Sequence, residues 1–175
     1  VHSNIFALST DKNYDVFNLP TEDEVFEDMH GVADYVRFEY SYVKSYEVMA
    51  EIAAGIARSI PGATSEGNKI RIENIKESIR TVLKNKINIA VDFLTKEKDR
   101  NNTVNLNQAN ANDDIIAMKT SIYQALEILH DRYGWYIVDL DDYNTISTYD
   151  KFLENLITEK DPLELYVIAS YDYHF

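Results

Sequence analysis

The sequence predicts an α+β fold: a long antiparallel helical hairpin that a third helix completes into a bundle, with a small sheet formed by the termini and a strand near 135–140. Three observations predict it. Apolar residues recur at steps of three and four or their sums from Val25 to Ile60, and a similar seam runs from Ile72 to Leu94, the spacing of one helix face. Pro61-Gly62 parts the two runs, and a short link between long amphipathic helices makes them antiparallel neighbours. From Leu163 to Phe175 every odd position is apolar or aromatic, the period of a strand with one buried face. At 175 residues the chain fits one domain, with the bundle over about 22–133 and a β/α portion from 1–10 and 135–175.

The elements follow in order. "NIFALS" is a short apolar run that reads as a strand. Thr21-Glu22-Asp23-Glu24 reads as a capping box, the Thr hydroxyl accepting from the Glu24 amide while the Glu24 carboxylate reaches back. The seam of the first helix is Val25, Met29, Val32, Val36, Val43, Tyr46, Ala53, Ile56 and Ile60, with Gly31 as a candidate break. "SIPGATSEGNK" is a turn, and the second helix runs from about Ile70 to Asp99. Its seam is Ile72, Ile75, Ile79, Val82, Leu83, Ile87, Ala90 and Leu94. An Asn-thick loop leads to a third helix that opens at Asn112 or Asp113 and stops at Gly134, a natural C′ residue. "WYIVDL" is a strand, "DDYN" a turn, and Ser147 with Asp150 caps a short helix.

Composition narrows the function classes. There is no cysteine, which removes disulfides and thiolate metal sites. No long apolar run or charged leader pattern is present, so a soluble, non-secreted protein of cytoplasm or virion is expected. The net charge of −13 disfavours direct contact with nucleic acid or an anionic membrane. Residues 1–58 hold eleven acids against four bases, residues 59–100 six against nine, and residues 101–175 thirteen against four. A basic middle between acidic flanks suits charge pairing within the fold or between copies.

Candidate chemistry is tested by geometry. Glu27-x-x-His30 and Glu127-x-x-His130 share the spacing of carboxylate-bridged di-metal proteins. On helices turning 100° per residue, Glu27 falls opposite the first stripe and His30 about 130° from it. Glu127 and His130 fall about 135° and 75° from the third stripe, so the ligand set does not project inward. Asp139, Asp141 and Asp142 stand at a strand end, where Mg²⁺ is often held, and the same residues make a good turn. There is no nucleophile elbow, and His2, His30, His130 and His174 are scattered, although His2 and His174 approach if the terminal strands pair. Arg132 suits a helix C-terminus, and Trp135 the sheet–helix junction. No cofactor or metal is expected.

What remains is surface suited to binding. Thirteen tyrosines supply contact area at low entropic cost. Tyr35, Tyr40, Tyr42 and Tyr46 lie around more than one face of the first helix. Tyr171, Tyr173 and Phe175 lie on a terminal strand that either pairs outward or is flanked by "NIFALS" and "WYIVDL". The expectation is a non-catalytic assembly protein, homo-oligomeric or seated between larger partners. Its size and layout are similar to small connector, neck and tail-completion components of bacteriophages, a fold-level analogy. The alternative is an acidic inhibitor or immunity protein, a DNA mimic that blocks a basic nuclease or nucleic-acid-binding partner. A third class, an enzyme, needs the 139–142 carboxylates to converge with a His and a metal.

Overall fold

The computed structural model describes residues 2–29, 31–102, 122–126, 129 and 134–175. It is a mixed α/β fold around a seven-stranded mixed sheet, which overturns the expected helical hairpin bundle with a small sheet. The chain divides into two compact units, one of residues Val1–Val82 with Arg132–Phe175 and the other of Leu83–Asp131.

In the larger unit β1 is His2–Ser9. The capping box forms as the sequence predicts and starts α1, Glu22–Asp28, which ends far earlier than expected. Gly31 takes φ +80°, and the chain then enters a strand, β2, Tyr35–Ser41. The helix α2 is Tyr46–Ser59. The expected turn after Ile60 holds β3, Thr64–Glu66, and β4, Lys69–Ile72, joined by Gly67-Asn68. Gly67 has φ +56°, and glycine at the first position of a two-residue hairpin loop is what a II′ turn requires. Next comes α3, Ile75–Asn102, whose first N–H donates to the Asp161 carboxylate at 2.8 Å. Most of the expected third helix lies outside the described residues; 122–126 are helical. The strands β5, Tyr136–Asp139, and β6, Thr145–Thr148, form a hairpin around the expected "DDYN" turn. The short helix α4, Tyr149–Leu156, is capped by Thr148 and not by Ser147. The last strand is β7, Leu163–His174.

The order across the sheet is β3-β4-β7-β1-β5-β6, with β2 also on β7. The first part of β7 pairs with β4 and the last part with β2, while β1 runs antiparallel along its other side. β5 adds parallel to β1. "NIFALS" therefore does flank β7, but "WYIVDL" does not.

One irregularity shapes the core. Ala7 faces Ala169 whereas Leu8 faces Val167, so Ile168 is an extra residue in β7. A bulge of this kind shifts the alternation by one residue. Ala169, Tyr171 and Tyr173 join Ile5, Ala7, Val138, Val25 of α1 and its C-cap Met29 in one cluster. Leu163, Leu165 and Val167 turn to the opposite face with Ile70, Ile72, Phe6, Leu8 and Ile137, also buried. There α2 contributes Met49, Ala53 and Ile56, and α4 contributes Phe152 and Leu153. The two helices are tied by a 2.6 Å bond between the Ser59 and Tyr149 hydroxyls. The odd-position pattern of β7 thus serves both faces, not one. Each such Ile, Leu or Val contributes roughly 1.5–3 kcal/mol by burial.

Candidate functional site

Register places three rings at one end of the sheet. His2 pairs with His174 across β1 and β7, and Tyr35 with His174 across β2 and β7. The Tyr35 and His174 rings are stacked with centroids 5.5 Å apart, and His2 meets His174 edge-on at 5.1 Å. His2 Nδ1 lies 2.8 Å from Asp172 Oδ2, and His174 Nδ1 lies 3.4 Å from Asp34 Oδ2. Arg37 faces Asp172 in the next rung. Burial pushes the neighbouring Glu39 carboxyl up, the Asp172 charge adds to that, and Arg37 and His2 oppose it. The approach of His2 and His174, expected if the termini pair, is realised. These are two imidazole–carboxylate pairs at a sheet end, with the Tyr35 hydroxyl 3.5 Å from His2 Nδ1.

The aspartates stand where the parallel strands β1 and β5 end, outside whose carboxyl ends α/β sheets hold ligands. Carboxylate oxygens of Asp139 and Asp141 are engaged in shaping the loops. Asp141 accepts from the Ser9 hydroxyl and from Thr10 N–H, both at 2.7 Å, and Asp139 Oδ1 accepts from Asp141 N–H at 3.1 Å. Burial raises the Asp139 carboxyl, the charges of Asp141 and Asp142 raise it further, and the N–H bonds from those residues pull it back. A recess of about 160 Å³ beside them is lined by Thr10, Asp139, Asp141, Phe152 and Glu159 among others. Among the described residues no group of three or more His, Cys, Asp or Glu is placed to hold a metal ion. The turn expected at "DDYN" is closed by Asp142 N–H to Asp139 C=O at 3.3 Å and Thr145 N–H to Asp142 C=O at 2.9 Å. Glu27 is exposed on α1; His30, Glu127, His130 and Arg132 lie outside the described residues. Trp135 packs edge-on between Phe6 and Tyr149, at the sheet–helix junction as expected.

The candidate interface residues separate into two groups. Tyr35, Tyr40 and Tyr46 are exposed, although the first two stand on β2 and not on a helix. Tyr42 is half-buried and donates to Tyr14 C=O at 3.1 Å. Tyr171 and Tyr173 are fully buried in the cluster with Ile5, Val25 and Met29, and so offer no contact surface. Their hydroxyls donate to Pro20 C=O and Gly134 C=O, each at 2.7 Å. Phe175 is partly buried against the same cluster.

A second set of exposed apolar residues was assigned to the interior or left unremarked by sequence reasoning. In the smaller unit Ile87, Ile89, Val91 and Leu94 of α3, together with Ile122, Tyr123, Leu126 and Leu129, are between 39 and 67 % exposed. Ile87 and Leu94 were placed in the seam because periodicity locates a stripe without saying whether anything covers it. Among the described residues no helix is long and apolar enough to cross a membrane. Comparison of the chain with protein-family models, with curated proteins and with solved structures finds no match.

Proposed function

We propose that this chain is a non-catalytic assembly protein that acts through protein–protein contacts, first of all with other copies of itself. The observation that carries the reading is the exposed aliphatic row of α3, with Ile87, Val91 and Leu94 at helical spacing on one side. Single exposed apolar side chains are ordinary, but a concentration of them in one unit marks a surface that another protein covers. Charge supports a second copy as occupant. α3 carries seven Lys and Arg against four acids, whereas the rest of the chain carries ten against twenty-six. A basic helix meeting an acidic body is a head-to-tail contact, which closes into a ring or runs on as a chain. The bundle layout shared with small phage connectors is absent from the seven-stranded mixed sheet.

The test is sedimentation mass at low and high salt for the parent chain and for Ile87→Asp with Val91→Asp. A multimer that persists in high salt and dissociates in the double variant is the expected result. A parent chain that is monomeric at both salts contradicts the proposal.

One observation favours a second reading, the acidic inhibitor of a basic partner. α1 presents Glu22, Asp23, Glu24, Glu27 and Asp28, all exposed, with no base among its seven residues. That reading expects binding to a basic protein that weakens steeply with salt.

A further inference from the structure

Among the described residues no strand pairs with the outer edge of β6, and the register of the β5–β6 hairpin identifies the groups that face it. Tyr149 N–H donates to Trp135 C=O at 2.9 Å, so 135 and 149 are a hydrogen-bonded pair. In an antiparallel ladder such pairs alternate, which makes 137 with 147 the next inward-turned pair, while at the turn end Thr145 N–H goes to Asp142 C=O at 2.9 Å. Ile146 and Thr148 therefore point their N–H groups away from β5, and Ile146 its C=O as well. The other side of β5 agrees in phase, since Leu140 N–H reaches Leu8 C=O on β1 at 3.0 Å.

This edge is short, but two of the usual guards are missing from it. Thr145-Ile146-Ser147-Thr148 has neither the charge nor the proline with which proteins blunt an exposed strand. β2 shows the contrast. The Glu22 carboxylate covers Phe38 N–H at 2.7 Å, Arg37 stands beside it, and Glu39 is a bulge against β7.

Beside the β6 edge lies a recess of about 230 Å³. Glu24, Glu27 and Asp28 of α1 line one side of it, and Tyr143, Asn144 and Ile146 the other. Tyr143 and Asn144 are held at φ 51° and 59°, and Tyr143 is 99 % exposed at the head of the strand.

We infer that β6 is a docking edge for an extended basic segment of a partner protein, which adds to the sheet as a strand while its Lys or Arg side chains meet the carboxylates of α1. Main-chain bonds to Ile146 and Thr148 supply the attachment, as in other cases of strand addition. The occupant's charge follows from the wall, where the lining side chains include three acids and no base. Thr21 bonds keep the Glu24 carboxyl below its usual range, which favours its charged form. Side chains of an added strand alternate between faces, and the face that carries Ile146 is the one α1 covers. Basic residues at every second position are therefore the pattern that fits. The inference rests on the basic-partner reading and adds strand pairing to it; it is separate from self-association through α3.

The probe is a hexapeptide alternating Lys and Val, blocked at both ends and titrated into the full chain at low salt, followed by calorimetry and amide NMR. The expected result is binding that shifts the Ile146 and Thr148 amides most. N-methylation of the peptide, one residue at a time, weakens it by about tenfold or more in at least one version, since a methyl removes a main-chain donor. Glu27→Lys with Asp28→Lys, both exposed sites, weakens it comparably while the circular dichroism stays unchanged. If every N-methylated peptide binds as the parent does, strand addition is overturned and charge docking alone stands. If the peptide does not bind, or binds the double variant equally well, both are overturned.

Discussion

Replacing Tyr171 by Phe tests how the core is joined to α1. The Tyr171 ring is fully buried, and its hydroxyl donates at 2.7 Å to Pro20 C=O, one residue before the Thr21 cap. Among the described residues no other donor reaches that carbonyl. Phe keeps the ring and removes the oxygen, so the loss is one buried hydrogen bond together with a stranded acceptor, about 1–3 kcal/mol. Tyr173→Phe is the matched control. Its hydroxyl donates at the same distance to Gly134 C=O, but Ser3 Oγ also reaches that carbonyl at 3.2 Å. The acceptor stays served, and the expected cost is about 0.5–1.5 kcal/mol. Urea unfolding followed by circular dichroism measures both. For a chain of this size a loss of 2 kcal/mol lowers Tm by roughly 4–8 °C. Finding Tyr171→Phe no more costly than Tyr173→Phe would refute this account of the junction.

Ser170 Oγ is buried without a hydrogen-bond partner among the described residues, so Ser170→Ala is expected to stabilise by up to about 1 kcal/mol, read as a higher urea midpoint; a lower midpoint contradicts it. Burial pushes the Tyr149 hydroxyl up from 10.0 to about 12, against a smaller pull from Ser59. Its folded value lies above its unfolded one, so the stabilisation is complete below pH 10 and is lost as pH rises towards 12, because the unfolded chain releases its proton first. Up to about 3 kcal/mol disappears over that interval, and Tyr171, also raised mainly by burial, extends the trend. Alkaline unfolding curves of the parent and Tyr149→Phe check it, the variant losing less stability over the same range; parallel curves oppose it. Gly67→Ala forces an L side chain into φ +56°, with its Cβ directed into the Tyr46 ring. The backbone alone costs about 1–2 kcal/mol, and a neutral result would mean that the hairpin turn is wrongly assigned.

Several features could be read from the residues. The capping box, the "DDYN" turn, the strand at 136–139 and the terminal strand all rest on short-range rules, and short-range rules decided them. The errors share a cause: a two-residue period and a 3.6-residue period agree over a few steps. Val25 belongs to α1 and Met29 caps its end, but Val36 and Phe38 alternate with Arg37 and Glu39 as a strand does. Gly31 at positive φ separates the two segments, and it carried more weight than the apolar count suggested. Ile70 and Ile72 extend the helical seam of Ile75 and Ile79 on paper, although Gly67-Asn68 before them is a hairpin signal. The Ile168 bulge left no mark, because an extra apolar residue inside an apolar strand preserves the odd-position pattern while reversing the face. The His2–His174–Tyr35 end was half legible: the terminal pairing was foreseen, and the third ring required β2. The exposure of Ile87, Val91 and Leu94 depends on what covers them, which spacing does not encode.

Amide hydrogen exchange resolved by residue bears most directly on the central structural claim, that β7 is an interior strand paired along both sides. The expected result is that the amides from Val167 to Tyr173 are among the slowest in the chain, exchanging only with global unfolding, while those of α1 exchange faster. Fast exchange along β7, with one continuous protected block from residue 22 to residue 60, would restore the helical hairpin and remove the sheet edge on which strand addition depends.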